Sequence, residues 1–234
     1  MSWTAPADNG GIPITGYTIT PYIGSTAQTP VQVNSGSATS ALLTGLTNGI
    51  GYTFTVIATD SQGNSPPSAA SAVVVPQDTI FDFTGSPQLI DSGDTSPVEL
   101  GVKFTSDRTG SIYGLRFYKA AANSGTHVGS LWDANGNLLA QATFTNETAS
   151  GWQYVYFSNP VTITADTTYV AGYFAPHGRY SADPNGLSNG VDNPPLHAVA
   201  NSTSANGVYA YSATSTFPTS SYNATNYWID VLFN

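Results

Sequence analysis

Few side chains here can move protons or bind metals, and their spacing excludes most catalytic arrangements. Three histidines, His127, His177 and His197, stand 50 and 20 residues apart, and the 234 residues include no cysteine. Structural zinc is held by closely spaced ligands, so no zinc motif is present. No serine occupies a nucleophile-elbow pattern, and serine is too common for a Ser/His/Asp coincidence to predict a triad. Glycoside hydrolysis needs two carboxyls facing each other across a cleft. Asp133, Asp183 and Asp192 stand beside or near Asn, Gly or Pro and read as turn residues. Glu99 and Asp230 differ, because each lies inside an apolar, strand-like segment. If those segments are neighbours the two acids approach each other, and three readings stand: a structural calcium completed by backbone carbonyls, ion pairs with residues such as Arg116 or Lys119, or outward, solvated positions. Asp91-Ser92-Gly93-Asp94 lacks the length and ordered acids of a calcium loop and reads as a turn.

Aromatic and amide side chains offer another chemistry. Aromatic faces stack on the apolar side of a pyranose, while amides and carboxylates bond its hydroxyls. The candidate ligand-binding residues are His127, Trp132, Tyr180, Asn206, Tyr209, Phe217 and Tyr222. Tyr180, Phe217 and Tyr222 have the better claim, because they fall in loop-like sequence and sandwiches carry function on loops held by a rigid frame. Packing is the alternative for each aromatic. For His127, in a Gly-bounded loop before Leu131-Trp132, the alternative is a neutral imidazole satisfying loop backbone groups. Trp152, Phe117, Phe144 and Phe157 lie in apolar strands and read as core.

The elements that must position these residues are strands. Charged residues make up 8% of the chain against about a quarter in ordinary domains, and Thr, Ser, Asn, Gly and aromatics abound, which favours strands and turns. The formal net charge is −9, and the five basic residues are scattered through the second half. No basic patch awaits a phosphate backbone, so nucleic acid is not an expected partner. No run approaches the length of a membrane span, and no basic-then-apolar leader opens the chain, so no export signal is read in it. Residues 1–76 show candidate strands at 14–23, 31–34, 40–46, 52–60 and 69–75, punctuated by Gly, Pro and Asn. From Thr79 onward, nine more are expected: 79–83, 98–104, 110–118, 128–132, 138–144, 152–157, 168–174, 207–211 and 227–233. Val98, Leu100, Val102 and Phe104 alternate with Glu99, Gly101 and Lys103, the pattern of a half-buried strand. Asp133-Ala134-Asn135-Gly136-Asn137 predicts a hairpin turn. The Asn-, Pro- and Ser-rich stretch 180–206 predicts long loops.

Two family resemblances follow from these segments. Ser2-Trp3-Thr4-Ala5-Pro6, then Ile14-Thr15-Gly16-Tyr17, resemble the second and third strands of a fibronectin type III domain. Leu46, with Tyr52 six residues on, resembles that family's tyrosine corner, in which the hydroxyl caps backbone. Nothing precedes Met1 to match the family's first strand. Either this chain is cut from a longer tandem protein with neighbouring domains, or another chain donates the strand and copies self-associate. Val98 to Phe104, Gly114-Leu115-Arg116-Phe117-Tyr118-Lys119, Asn123 to Trp132, Gly151-Trp152-Gln153, Thr168 to Tyr173 and Asn226 to Val231 together resemble domain of unknown function 4082. That resemblance implies an accessory module of large extracellular bacterial proteins and carries no reaction with it.

The expected fold is all-β: an incomplete fibronectin type III immunoglobulin-like sandwich over 1–76, then a larger jelly-roll-like β-sandwich over 79–234. The expected function is a non-catalytic extracellular module that binds carbohydrate or another cell-surface polymer. The alternative is a structural or adhesive repeat of a surface stalk, and an enzyme is the third reading.

Overall fold

The computed structural model describes residues Met1 to Asn234. The chain divides into two compact units, Met1–Gln77 and Asp78–Asn234. Both are built from strands and turns without a helix.

In the first unit β1 (Gly16–Ile23) pairs antiparallel with β2 (Thr26–Ala27), β3 (Val31–Val33) and β4 (Tyr52–Thr59). Period-two alternation sends Tyr17 and Ile19, with Tyr52, Phe54 and Val56, into one small core. The Tyr52 hydroxyl accepts the Thr47 amide at 3.0 Å, which is the tyrosine corner expected from the Leu46–Tyr52 spacing. Two expected strands do not form as such. Residues 40–46 contribute a single bridge, Ser40 to Ser2, and 69–75 a single bridge, Val74 to Tyr52. Pro66 and Pro67 have no N–H to give a ladder. The segment instead borders β4 through serines three apart: Ser65, Ser68 and Ser71 donate their amides to the carbonyls of Ala58, Val56 and Phe54. Their hydroxyls accept the amides of the same three residues. A three-residue repeat is the pitch of polyproline II, which Pro66 and Pro67 favour.

The second unit is a jelly-roll-like sandwich of unequal layers. The larger sheet runs β11 (Val191–Asn193), β12 (Leu196–Ala198), β5 (Val98–Ser106), β10 (Tyr169–Ala175), β7 (Val128–Asp133), β8 (Leu138–Thr143), with β13 (Val208–Tyr211) also on β5 and β14 (Ser220–Ser221) on β13. The smaller sheet is β15 (Ile229–Phe233), β6 (Gly110–Lys119) and β9 (Gly151–Ile163). Their facing sides share one core that includes Leu100, Val102, Phe104, Leu115, Phe117, Tyr173 and Val231. Phe117 on the small sheet stacks on Tyr173 of the large one, centroids 4.3 Å apart.

Three local results bear on the expectations. Asp133 Oδ1 accepts the amides of Asn135 and Asn137, closing the β7–β8 hairpin where Gly136 takes φ +86°. The stretch 180–206 is not all loop, because β11 and β12 form a hairpin that joins the β5 edge. Thr79 to Phe83 forms no strand; its backbone is spent on a buried carboxylate, described below. The second unit also has its own tyrosine corner: the Tyr169 hydroxyl accepts the Thr164 amide at 3.1 Å, with Ile163 six residues before the tyrosine.

Candidate functional site

Short β13 seats the aromatic cluster. It pairs with the first half of β5, Tyr209 opposite Leu100 and Tyr211 opposite Val98, so both tyrosines project on the side of those core residues. Residues two apart on a strand share a face, hence the Tyr-Ala-Tyr spacing. Tyr180 follows β10, Tyr222 follows β14 and Tyr227 precedes β15. The five rings enclose a cavity of about 270 Å³ floored by Val98 and Leu100. Tyr180 meets Tyr227 edge-on at 5.6 Å, and Tyr209 meets Tyr211 at 5.7 Å and Tyr227 at 6.5 Å. Tyr227 is buried, whereas Tyr211 and Tyr222 are 58% and 63% exposed and offer ring faces to solvent.

One exposed ring is tethered. The Tyr211 hydroxyl donates to Asp94 Oδ2 at 2.6 Å, and Asp94 Oδ1 accepts the Ser96 amide at 2.9 Å. Burial pushes the Asp94 carboxyl up, but the Tyr211 hydroxyl and the Ser96 amide outweigh it and hold it below its ordinary value. The same bond, with burial second, raises the Tyr211 phenol. Burial raises Tyr180 and Tyr227. These three phenols are therefore neutral at pH 7 and offer ring faces and hydroxyls rather than charge.

Of the residues singled out in the sequence, Tyr180, Tyr209 and Tyr222 meet at this cavity. Trp132 and Phe217 pair with each other at 5.9 Å, in a separate cluster with Val170 and Val208. Trp132 is 4% exposed, so its ring is already covered by packing. Asn206 is fully buried and braces backbone: it accepts the amides of Lys103 and Gly207 and donates to the carbonyls of Lys103 and Val199. His127 does not stand at a loop rim. It is fully buried, with Nδ1 2.8 Å from Glu147 Oε1 and Nε2 2.7 Å from Asn123 Oδ1, and Glu147 also pairs with Lys119 at 2.7 Å. Burial lowers its pKa, with Glu147 opposing, which favours the neutral ring. Its partners are side chains rather than the loop backbone.

The two strand acids do not meet. Glu99 lies on β5 in the large sheet and Asp230 on β15 in the small one. Asp230 is enclosed by donors: Oδ2 takes Arg116 Nε at 3.0 Å and Nη2 at 2.8 Å, and Oδ1 takes the amides of Ile80 and Val231, both at 2.7 Å. The Arg116 guanidinium lies over Trp152 and Phe83, 4.0 and 4.5 Å from the ring centroids. This is the ion pair with Arg116, one of the three readings of the acids. Glu99 is fully buried, neither carboxyl oxygen has a hydrogen-bond partner, and burial raises its pKa well above 4.5. The Ser215 hydroxyl and the Thr216 amide lie near enough to temper that rise without completing a hydrogen bond. No group of three acids or histidines gathers as a metal cage.

The residues at this site that lie outside the candidate ligand-binding set are Tyr211, Tyr227 and Asp94, the last read in the sequence only as part of a turn. The Tyr209–Tyr211 spacing was the available signal for the first. Nothing local tied Asp94 to a tyrosine 117 positions on.

Fold and site define a chain of two β-sandwich modules, the second bearing a tyrosine-lined surface cavity. The chain belongs to the family described as Domain of unknown function (DUF4082), whose model matches residues 84–229, and a Fibronectin type III domain matches 1–74. It is 28% identical over 204 residues to Exoglucanase B of Cellulomonas fimi, covering 87% of this chain and 16% of that protein. It is 32% identical over 191 residues to Chitinase A1 of Niallia circulans, covering 80% of this chain and 23% of that protein. The chain thus spans under a quarter of either relative's length. Among solved structures, alfa-L-rhamnosidase from Aspergillus terreus matches 72% of this chain and 20% of its own at 16% identity, with a TM-score of 0.27, too low to support any argument. No helix is long and apolar enough to cross a membrane.

Proposed function

We propose that this chain is a non-catalytic accessory segment of a secreted bacterial protein, whose second unit binds polysaccharide at the tyrosine cavity. The observation that carries this reading is the convergence of five tyrosines on one cavity, two of them largely exposed and one tethered. Such rings stack on sugar faces at small entropic cost, since each has only two side-chain torsions to fix. The similarity to proteins named as an exoglucanase and a chitinase supports polymeric sugar as the ligand class and an extracellular place of work. No carboxyl lines the cavity, so the acid pair that glycoside hydrolysis requires is missing there. The test is retention on insoluble cellulose, chitin and a broad polysaccharide panel. Retention by the native chain and its loss in Tyr211→Ala/Tyr222→Ala are expected. Failure to bind any polymer, or equal retention by the double variant, would remove the reading.

A second reading, a structural or adhesive repeat, is favoured by one feature of the first unit. A groove of about 500 Å³ runs between Trp3 and the Ser65–Ser71 segment and reaches the core residues Tyr17, Phe54 and Val56. Trp3 Nε1 there is buried without a partner. An extended strand from a second copy would cover the groove and supply an acceptor. Concentration-dependent dimers in light scattering, abolished by Trp3→Ala, would support strand exchange; a monomer at all concentrations would exclude it.

A further inference from the structure

The tyrosine cavity does not end at Tyr211. A second cavity of about 330 Å³ lies against the same ring, walled by Ser96, Pro97, Ser212 and Ala213. Tyr211 lines both and is thus the partition between two adjoining recesses. Its ring is 58% exposed, yet its hydroxyl is fixed to Asp94 at 2.6 Å. An exposed but tethered aromatic between two hollows is preorganised to bind, because little torsional freedom is left to lose. Pro97 gives the second recess an apolar ring, and Ser96 and Ser212 give it hydroxyls, the mixture a sugar residue matches. Neither wall includes a lysine, arginine or histidine, and the Asp94 carboxylate stands behind the partition, holding the Tyr211 hydroxyl. Anionic sugars would meet no counter-charge and one like charge.

We infer that the site takes an uncharged glycan chain that lies across Tyr211, with successive sugar residues in the two recesses, rather than a single sugar or a uronic polymer. This rests on the polysaccharide reading above and adds to it a requirement for chain length and neutrality.

The test is calorimetric or NMR titration with cello-oligosaccharides and N-acetylated chito-oligosaccharides of one to six residues, and with oligogalacturonates of matching lengths. Affinity should climb by about tenfold or more from the single sugar to an oligomer that fills both recesses, then level off; tenfold corresponds to about 1.4 kcal/mol, the scale of one ring contact. Tyr211→Ala should abolish the climb. Ala213→Trp, a change at an exposed position that fills the second recess, should flatten the climb, so that long oligomers bind no better than the single sugar. The fold of each variant is checked by its NMR spectrum. Affinity independent of length, an undiminished climb in Ala213→Trp, or equal binding of oligogalacturonates would overturn the inference while leaving polysaccharide binding intact. Absence of binding at every length would overturn both.

Discussion

Glu99 and Asp230 are both fully buried carboxyls in strands, and their surroundings set them opposite tasks. Asp230 has an arginine and backbone amides, so it is a permanent fixture pinning residues 80–81 to β15 and β6. Removing its charge strands the Arg116 guanidinium in the interior, and a broken buried pair costs about 3–5 kcal/mol. Asp230→Asn should therefore lower unfolding free energy by that order in urea titration, and a change under 1 kcal/mol would contradict the role. Glu99 has no such partner, and burial favours its protonated form. Its folded pKa lies above its ordinary 4.5, so its proton favours the fold fully below that value. As pH rises past it, the unfolded chain ionises while the folded one does not, and stability drains until the folded pKa is passed, at about 1.4 kcal/mol for each pH unit. Glu99→Gln has no proton to lose. Urea titrations from pH 4 to pH 8 should show the variant gaining on the native chain as pH rises, and a constant gap would refute the assignment.

At the scale of elements, the two units solve the same crossover in the same way. Tyr52 and Tyr169 each open a strand and each accept the amide five residues earlier, from Thr47 and Thr164. A net contribution of about 0.5–1.5 kcal/mol per hydrogen bond is ordinary, and more follows where the abandoned amide stays buried. Tyr52→Phe and Tyr169→Phe should each lower stability by that amount, read as separate losses in the unfolding of residues 1–77 and 78–234 expressed alone. A loss in only one would show that the shared geometry does not carry shared energy. The serine-rung border of β4 belongs here too: Ser65, Ser68 and Ser71 replace ladder carbonyls with hydroxyls where prolines forbid regular pairing.

For the whole molecule, the division at Gln77/Asp78 puts the two candidate surfaces in different units. All five cavity tyrosines fall in the second unit, and the Trp3 groove falls in the first. Residues 78–234 alone should retain the full polysaccharide retention of the intact chain, and residues 1–77 none, in the same pull-down. Binding that required both units would place the ligand site elsewhere.

What this sequence determines by itself is the β character of the chain, its two-family composition, the β7–β8 hairpin turn and the Tyr52 corner. These rest on alternation, turn residues and spacings within short stretches, and the family composition on several such stretches in order. Period two says that Val98 and Glu99 face opposite ways, but not what lies across from either. That choice belongs to pairings between distant segments. β13 docks on β5, which lifts Tyr209 and Tyr211 to an open edge, while Trp132 and Phe217, equally aromatic, close on each other. Asp230 finds Arg116, and Glu99 finds no counter-charge, because β15 pairs with β6 in one sheet and β5 with β10 in the other. Local pattern is written in neighbouring residues, whereas a binding face is made by which strands become neighbours, and only the closed sandwich decides that.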